Sequence, residues 1–332
     1  MRLLLAILIA LTASGPRSLP IETLTSTAAL PAHLAGAIGE MTACEQTADG
    51  RYFVFDRRAH AVFTVPPTRD QVRKIVEIGT EPGRVLRPTA FDVANDETFV
   101  VADAPFDTRR VQVFHSTGAS LGGFTIPGRE VPLIVMEGMV LSGIGSLEYT
   151  GRSMLMSQPQ NGSLVVEYGL DGRTLRTFGQ LRPTGQEQDR DVHLGLNAGL
   201  VVINPRGGFY YVFLAGVPQF RKYDATGTLI FDRHIEGTEL DEYVQKLPTT
   251  WPRRKDAGGQ ELPLIRPAVR AAAADPDGNL WVSLTVPVTY VYDSNGDKRR
   301  VVQFRGAGII SPSSLTFTNK GRPLVSPGCY TF

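Results

Sequence analysis

Short apolar stretches separated by turns dominate the chain, and residues 275–304 show this pattern most clearly. Asp277-Gly278 and Asn295-Gly296 flank two apolar runs, Leu280–Leu284 and Val288–Tyr292. Asp-Gly and Asn-Gly beside β-branched and aromatic residues favour tight turns between antiparallel strands, because both turn residues tolerate positive φ. This stretch therefore predicts a unit of short antiparallel strands.

The unit recurs along the chain. An aromatic residue followed by a four-residue turn that ends in glycine occurs four times, at Gly118, Gly172, Gly227 and Gly296, with intervals of 54, 55 and 69 residues. A turn followed by a short strand occurs six times, at Arg51–Phe55, Thr98–Ala102, Ser153–Ser157, Phe209–Phe213, Leu280–Leu284 and Arg322–Val325. Six such copies predict an all-β fold, a six-bladed β-propeller of four-stranded antiparallel blades over residues 19–332.

The two ends of the chain predict how the ring closes. The sixth copy stops early, at Cys329–Phe332, and therefore lacks an outer strand. Residues 21–26 form a β-prone stretch near the other end of the chain. We expect this N-terminal strand to complete the last blade, because ring closure protects strand edges that would otherwise pair with other chains.

Residues 238–262 interrupt the repeat and account for the 69-residue interval. Thr238 and Asp241 resemble a capping box. Apolar residues then follow at helical spacing up to Leu247, just before Pro248. The pattern predicts a short amphipathic helix and then an irregular loop. A helix packed on the propeller rim is the preferred interpretation, and a lid over a pocket is the alternative.

The first 18 residues predict export. Arg2 precedes an apolar run over residues 3–11, and small residues follow it. This arrangement is typical of a secretory signal peptide, and the run is about half the roughly 20 residues that a membrane-spanning helix needs. We therefore expect a mature protein in the periplasm or outside the cell, with no membrane span.

The charge balance argues against two classes of partner. The chain has 34 Lys plus Arg and 33 Asp plus Glu, for a formal net charge of +1. Such a balance provides no overall field that would concentrate nucleic acid or anionic lipid. The expected partner is a small molecule or another protein.

The repeat resembles a known family. The turn, apolar strand, aromatic-Asp-x-x-Gly turn and final strand resemble six-bladed propellers of the NHL-repeat type, and residues 275–282 are the most typical segment. The likeness covers about residues 40–332 and is greatest to exported bacterial propellers of unassigned function. It implies an architecture but no activity, because propellers include enzymes, binding proteins and scaffolds.

The two cysteines, Cys44 and Cys329, fall in the first and last blades. An even cysteine count in an exported protein predicts a disulfide. Ring closure would make these blades neighbours, so the bond would fasten the closure. It requires Cα atoms within about 7 Å of each other.

No catalytic or metal motif stands out. The five histidines are scattered without metal-ligand spacing, and two Asp-rich turns lack the Glu that a calcium loop needs at its twelfth position. No nucleophile elbow or phosphate-binding glycine loop occurs. The sequence therefore predicts no cofactor.

Residues just after the second strand of each blade are expected at one mouth of the central channel. Several are charged or carry amides, which suits a small-ligand site; the candidate binding residues are Asp56, Arg57, Asp103 and Gln158, with Arg270 on an inner strand. Alternatively, Asp56 and Asp103 cap local turns and pair with Arg58 or Arg109.

A second resemblance suggests an enzyme. Calcium-dependent lactonases of the regucalcin and gluconolactonase kind share this fold and hold a central metal with Glu, Asn and Asp. The resemblance implies Glu40 and Asn197 as metal ligands, whereas Arg270 occupies the position of the family's Asp. A guanidinium cannot bind calcium.

The sequence leaves three functions open. The leading hypothesis is a non-catalytic binding or interaction module that acts through the channel mouth. The alternatives are a calcium-dependent lactonase or esterase, and a structural partner in an envelope complex.

Overall fold

The computed structural model describes residues 19–94, 97–105, 108–126, 134–136, 139–141, 146–256 and 258–332. The predicted signal peptide, residues 1–18, lies outside the described residues. Six larger antiparallel sheets follow one another along the chain, and their inner strands contact each other in a closed ring. The fold is a six-bladed β-propeller, as the repeat predicts.

The strands follow in chain order. The first is β1 (Ile21–Thr25), and blade one contains β2 (Ala43–Gln46), β3 (Tyr52–Asp56), β4 (Ala61–Val65) and β5 (Arg73–Val76). Blade two contains β6 (Pro88–Val93), β7 (Thr98–Asp103), β8 (Arg110–His115) and β9 (Ser120–Thr125), and a hairpin of β10 (Ile134–Met136) and β11 (Met139–Leu141) follows it. Blade three contains β12 (Leu147–Tyr149), β13 (Ser153–Ser157), β14 (Val165–Gly169) and β15 (Thr174–Phe178).

The second half of the chain continues the series. Blade four contains β16 (Gly199–Ile203), β17 (Phe209–Phe213), β18 (Gln219–Tyr223) and β19 (Leu229–His234), and a hairpin of β20 (Arg253–Lys255) and β21 (Glu261–Pro263) follows it. Blade five contains β22 (Val269–Ala274), β23 (Leu280–Leu284), β24 (Thr289–Tyr292) and β25 (Lys298–Arg305). After β26 (Ile309–Ile310), blade six contains β27 (Ser314–Phe317), β28 (Pro323–Ser326) and β29 (Tyr330–Thr331).

Helices are short and few among the described residues. They are α1 (Ala32–Ala35), α2 (Arg190–Leu196) and α3 (Asp241–Gln245), with 3-10 turns at Pro159–Asn161 and Thr238–Leu240. In this part of the chain no helix has both the length and the apolar character needed to cross a membrane.

The Asp-x-x-Gly turns form for a local reason. In blade five, one carboxylate oxygen of Asp275 accepts hydrogen bonds from the backbone N–H groups of Asp277 at 3.0 Å and Asn279 at 2.9 Å. Gly278 has φ +84°, and a Cβ there would lie 2.8 Å from Oδ1 of Asn204. The turn therefore needs Asp for its hydrogen bonds and Gly for its backbone conformation.

Aromatic side chains fill the space between blades. The ring of Phe99 in blade two lies 5.5 Å from that of Phe53 in blade one and stacks on Phe114 at 5.0 Å. All three are buried. Burying a side chain of this size contributes about 1.5–3 kcal/mol, so such contacts within and between blades stabilise the ring.

The predicted disulfide is confirmed. Cys44 in β2 and Cys329 between β28 and β29 are bonded, with Cα atoms 5.6 Å apart. Both residues are buried. The bond joins blades one and six across the closure of the ring.

The N-terminal strand closes the ring differently from the prediction. Strand β1 pairs in parallel with β25, so it extends blade five and does not lie in blade six. The residues after β1 reach blade six. The N–H of Thr27 donates to the carbonyl of Thr331, and the N–H of Thr331 donates to the carbonyl of Ala28, both at 2.8 Å. Strand β29 has only two residues, so it is too short to pair with a full fourth strand. The longer β25 offers an outer edge along which all of β1 can pair.

The insertion over 238–262 also differs in detail. Its helix is only α3, preceded by a 3-10 turn, and neither element has a side-chain hydrogen bond at its N-cap, so the predicted capping box is wrong. The predicted irregular loop contains the hairpin of β20 and β21. Leu240 and Trp251 are buried in the core shared with blades four and five.

Three connections pack together on one side of the ring. Each joins the outer strand of one blade to the inner strand of the next; we call the β10–β11 hairpin, α2 and residues 235–268 the loop cap. The N–H of Ile265 donates to the carbonyl of Val135 at 2.9 Å, and Arg253 pairs with Asp189 at 2.5 Å. The insertion is therefore one part of a larger layer.

Candidate functional site

A cavity of about 290 Å³ occupies the central channel. Inner-strand residues of all six blades line it, so every blade contributes to its wall. Blade four contributes the apolar Leu200 and Val201, and blade six contributes Leu315 together with the hydroxyls of Ser313, Ser314 and Thr316. Blades one, two and three contribute three carboxyl groups, the channel triad of Glu45, Asp92 and Glu148.

The channel triad occupies equivalent positions in three consecutive blades. Glu45 pairs with Phe53 across the first two strands of blade one, Asp92 with Val100 in blade two, and Glu148 with Leu155 in blade three. In each blade, the acid lies two residues before the first residue of the turn that joins the first and second strands. The propeller repeat therefore brings the three side chains to one depth of the channel.

Each carboxylate also bonds to the next blade. Glu45 accepts from the N–H of Val93 in blade two at 3.1 Å. Asp92 accepts from the N–H of Tyr149 in blade three, and Glu148 accepts from the N–H of Ile203 in blade four at 3.4 Å. The triad thus links four consecutive blades while it faces the channel.

Burial and mutual repulsion raise the pKa of each acid. Burial raises the pKa of Glu45 well above its usual range, and the charge and hydrogen bond of Asp92 raise it further. Burial raises the pKa of Asp92 to about 6, although the N–H of Tyr149 opposes this shift. Burial and then the Asp92 charge raise the pKa of Glu148. The triad therefore binds protons more tightly than three separate carboxyls would.

Two arginines line the same cavity, Arg57 and Arg270. Arg57 follows β3, and its N–H donates to Oγ1 of Thr42 at 3.3 Å. Arg270 occupies a bulge in β22, where the pairing with β23 shifts by one residue. Both predicted binding residues therefore reach the channel, as positive groups in a cavity that also holds carboxyls.

Asp56 and Asp103 are buried and bonded to nearby loops. Asp56 accepts from the N–H groups of Gly39 at 3.0 Å, Glu40 at 2.9 Å and Ala59 at 2.7 Å. Asp103 accepts from Arg110 Nε at 2.7 Å, one residue beyond the Arg109 named from the sequence. The described contacts correspond to the turn-capping alternative.

Gln158, the fourth predicted mouth residue, is fully buried. Its Oε1 accepts from Nε2 of Gln160 at 2.5 Å, and its backbone N–H donates to the carbonyl of Leu164 at 3.1 Å. The side chain therefore lies within its own loop and does not line the described cavity wall.

The two residues named as metal ligands are not brought together in the cavity. Glu40 is exposed, and neither Glu40 nor Asn197 lines the cavity. The amide of Asn197 accepts from the N–H of Arg182 at 2.9 Å and donates to the carbonyls of Arg182 at 3.2 Å and His193 at 3.1 Å. Across the described ranges, no group of three His, Cys, Asp or Glu side chains is arranged to hold a metal ion.

The described residues of the loop cap contact the blades and do not contribute to the cavity wall. Tyr290 in β24 donates to Glu239, and Lys298 in β25 donates to the carbonyl of Glu236 at 2.5 Å. These contacts agree with the rim interpretation of the insertion.

The channel triad is not among the residues predicted from the sequence. Each acid lies beside an apolar residue in a short inner strand, such as Cys44, Phe91 or Leu147, and resembles an ordinary polar position of an alternating strand. One signal was available: an acid stands two residues before the first turn in three successive blades. An alignment of the repeats on that turn would have found it.

Comparisons with known proteins show the fold. No protein-family model and no curated protein matches the chain. A solved structure of streptogramin B lyase is similar over 87% of this chain and 76% of its own, with 10% identity and a TM-score of 0.54. Virginiamycin B lyase from Staphylococcus aureus is similar over 87% of this chain and 82% of its own, with 11% identity and a TM-score of 0.47. At such identities the likeness shows a shared propeller fold alone.

Proposed function

We propose that the protein is an exported binding module that holds a small molecule in the central channel and releases it unchanged. One observation carries this proposal: a cavity of about 290 Å³ whose wall combines carboxyls, guanidinium groups, hydroxyls and apolar side chains. Convergent polar groups beside apolar side chains are typical of small-ligand sites, and this volume suits a small ligand.

The contacts of the charged groups favour binding over catalysis. Each carboxylate of the triad accepts a hydrogen bond from the backbone of the next blade, which fixes its position in the channel wall. Fixed groups recognise a ligand at little entropic cost.

The calcium-dependent lactonase has weaker support. It needs the side-chain oxygen of Asn197, which already accepts a hydrogen bond from the backbone of Arg182. It also needs Glu40 in the channel, but Glu40 does not line the cavity. The two lyases share 10% and 11% identity with this chain, too little to bring their activity to it.

Export is part of the proposal. The buried Cys44–Cys329 disulfide supports it, because such bonds persist in oxidising compartments. The N-terminal leader pattern supports it independently. The resemblance to exported propellers of the NHL-repeat type is likewise part of the proposal.

A ligand screen tests the proposal. The mature protein is screened by ligand-observed NMR with a small-molecule library that contains acids, amines, zwitterions and neutral compounds. Two variants place tryptophan on the cavity wall, Ser313→Trp and Ala272→Trp, and Leu170→Trp places it at an exposed position outside the cavity. Near-native melting temperatures establish that the variants fold.

The expected result is at least one compound that binds the wild type and Leu170→Trp but neither cavity variant, and that is recovered unchanged after long incubation. Two results would overturn the proposal. Binding that survives in both folded cavity variants would place the ligand elsewhere. Conversion of the bound compound would make the protein an enzyme.

A further inference from the structure

The charged groups of the cavity lie at two depths. The N–H of Thr42 donates to the carbonyl of Phe55, and the N–H of Arg57 donates to Oγ1 of Thr42. Glu45 pairs with Phe53, which lies two residues before Phe55 in β3. At about 3.3 Å per residue, the backbone of Glu45 therefore lies on the order of 10 Å deeper than that of Thr42, which the backbone of Arg57 contacts.

Blade five shows the same separation. Ala273 pairs with Trp281 and is the counterpart of Glu45, since each stands two residues before the residue that opens its first turn. Arg270 precedes Ala273 by three residues, which corresponds to roughly 10 Å of strand. Both arginines therefore lie toward one mouth, and the channel triad lies deeper.

We infer that the channel ligand is a small, elongated zwitterion that places its carboxylate at Arg57 and Arg270 and its cationic amine among Glu45, Asp92 and Glu148. This inference rests on the proposed binding function and names its ligand class. Arginine pairs well with carboxylates, because its planar N–H groups match the two oxygens. Three convergent carboxyls recognise an ammonium or guanidinium group.

The rest of the wall fits the middle of such a ligand. Blades four and six contribute Leu200, Val201 and residues 313–316, none of which carries a charge. Along the described wall, the arginines and the triad are the only charged side chains. Methylene groups between the two charges of the ligand would lie against Leu200 and Leu315 and gain hydrophobic contact.

Proton release should accompany binding. Burial and mutual repulsion raise the pKa of Glu45 and Glu148. A cationic amine among them favours their ionised forms and lowers their proton affinity. A neutral or purely anionic ligand would lack this effect, which therefore distinguishes the amine end of the ligand.

Matched probes test the inference by isothermal titration calorimetry on the mature protein. The probe is 6-aminohexanoate, whose two charges are separated by on the order of 7 Å, about two residues of extended chain. Hexanoate lacks the amine, and hexylamine lacks the carboxylate. Titrations in two buffers with different heats of ionisation measure the protons released.

Two variants and two controls locate the charges. Glu148→Gln changes the deep end of the cavity, and Arg270→Gln changes the outer end. Glu261→Gln and Arg254→Gln alter exposed residues of the β20–β21 hairpin, outside the cavity wall. Melting temperatures verify the fold of each variant.

The expected result is at least tenfold tighter binding of 6-aminohexanoate than of hexanoate or hexylamine, with proton release. Glu148→Gln and Arg270→Gln should each weaken it at least tenfold, and the controls less than twofold. Equal binding of hexylamine or hexanoate overturns the inference, as does equal weakening by a control.

The test separates the inference from the proposed function. If neutral library compounds bind in the channel and no charged probe does, the zwitterion inference is wrong and the binding function stands. If the tryptophan variants show that no compound of any class binds in the channel, both are wrong.

Discussion

Cys44 and Cys329 form a disulfide although 285 residues separate them in the sequence. The bond joins the inner strand of the first blade to the last hairpin of the sixth. Around it, the hydroxyl of Thr316 donates to the carbonyl of Cys44 at 3.1 Å, and that of Ser313 donates to the carbonyl of Thr42 at 3.0 Å. The closure of the ring therefore has a covalent bond and a hydrogen-bonded seam.

Removal of the disulfide should destabilise the protein strongly. In the chain-entropy view, a bond across so long a loop restricts the unfolded chain greatly, and the double variant Cys44→Ser with Cys329→Ser should lose about 3–5 kcal/mol. Urea unfolding of the mature protein measures the loss. A loss below about 1 kcal/mol would mean that the hydrogen-bonded seam closes the ring alone.

The channel triad should make stability depend on pH. A carboxyl whose pKa is higher in the folded than in the unfolded protein stabilises the fold most below its unfolded pKa, near 4. That contribution is lost as the pH rises through the folded pKa, which is about 6 for Asp92. The free energy of unfolding should therefore lose this contribution from about pH 4 to above pH 6, with Glu45 and Glu148 extending the range upward.

Glu148→Gln tests this dependence. It removes a charge beside Asp92, and the amide oxygen can still accept from the N–H of Ile203. The melting temperature of the variant should rise relative to wild type between pH 5 and pH 8, by about 2–4 °C. Glu261→Gln, an exposed control, should show a constant difference. A constant difference for Glu148→Gln as well would refute the coupling within the triad.

Arg182 should be essential for the packing of the loop cap. Its side chain is 7% exposed and lies 4.0 Å above the ring of Phe213. The guanidinium donates to the carbonyls of Leu196 at 2.8 Å and Val217 at 2.7 Å, and burial lowers its pKa to about 10. Arg182→Met would leave several buried oxygens without donors and should cost about 3–5 kcal/mol.

The matched control for this prediction is Arg254→Met, in the exposed hairpin of the loop cap. It should change the free energy of unfolding by less than about 0.5 kcal/mol. Chemical denaturation followed by circular dichroism measures both variants. Equal effects of the two substitutions would show that the hydrogen bonds of Arg182 add nothing.

Tyr290 should fasten the insertion to blade five. Its hydroxyl donates to the Glu239 carboxylate, and burial followed by this contact raises the pKa of Tyr290. Tyr290→Phe would leave a half-buried carboxylate without this donor, at a cost of about 1–3 kcal/mol. Trypsin should then cut faster after Arg253, Arg254 or Lys255, because local opening exposes the hairpin.

The positions at which trypsin cuts distinguish local opening from global unfolding. Faster cleavage confined to residues 246–255 supports a local role for Tyr290. Cleavage that accelerates equally throughout the chain would show that the whole fold has weakened. Mass spectrometry of the first fragments distinguishes the two results.

Calcium should leave the melting temperature unchanged. The Asn197 amide is bonded within its own loop, so the lactonase ligand set is not assembled. A metal that binds only the folded state would raise the melting temperature in proportion to its affinity. The measurement compares millimolar calcium with chelator. A rise of several degrees in calcium would favour the hydrolase.

Local chemistry explains why the sequence predicts so much of the fold. The Asp275 carboxylate and Gly278 determine their turn within five residues, and similar turns recur in other blades. Strand pairing inside a blade then follows from adjacent hairpins. The disulfide was predictable because ring closure alone makes the first and last blades neighbours.

Non-local pairing explains what the sequence did not predict. Residues 21–26 are β-prone, but their partner depends on which edge lies free after folding, and β25 offers a longer edge than β29. Arg300 then pairs with Glu22 through two hydrogen bonds, at 2.8 and 2.9 Å. Composition could not reveal this pair, because the two residues lie 278 positions apart.

The sequence by itself determined the six repeats, their turns and the closure between the two cysteines. Only the tertiary structure showed that Glu45, Asp92 and Glu148 converge and that Asp56 and Asp103 accept hydrogen bonds from the segments that precede their blades. The reason is physical. Turns and strand pattern depend on neighbouring residues, whereas the surroundings of a carboxyl, and hence its proton affinity, depend on blades far apart in the chain.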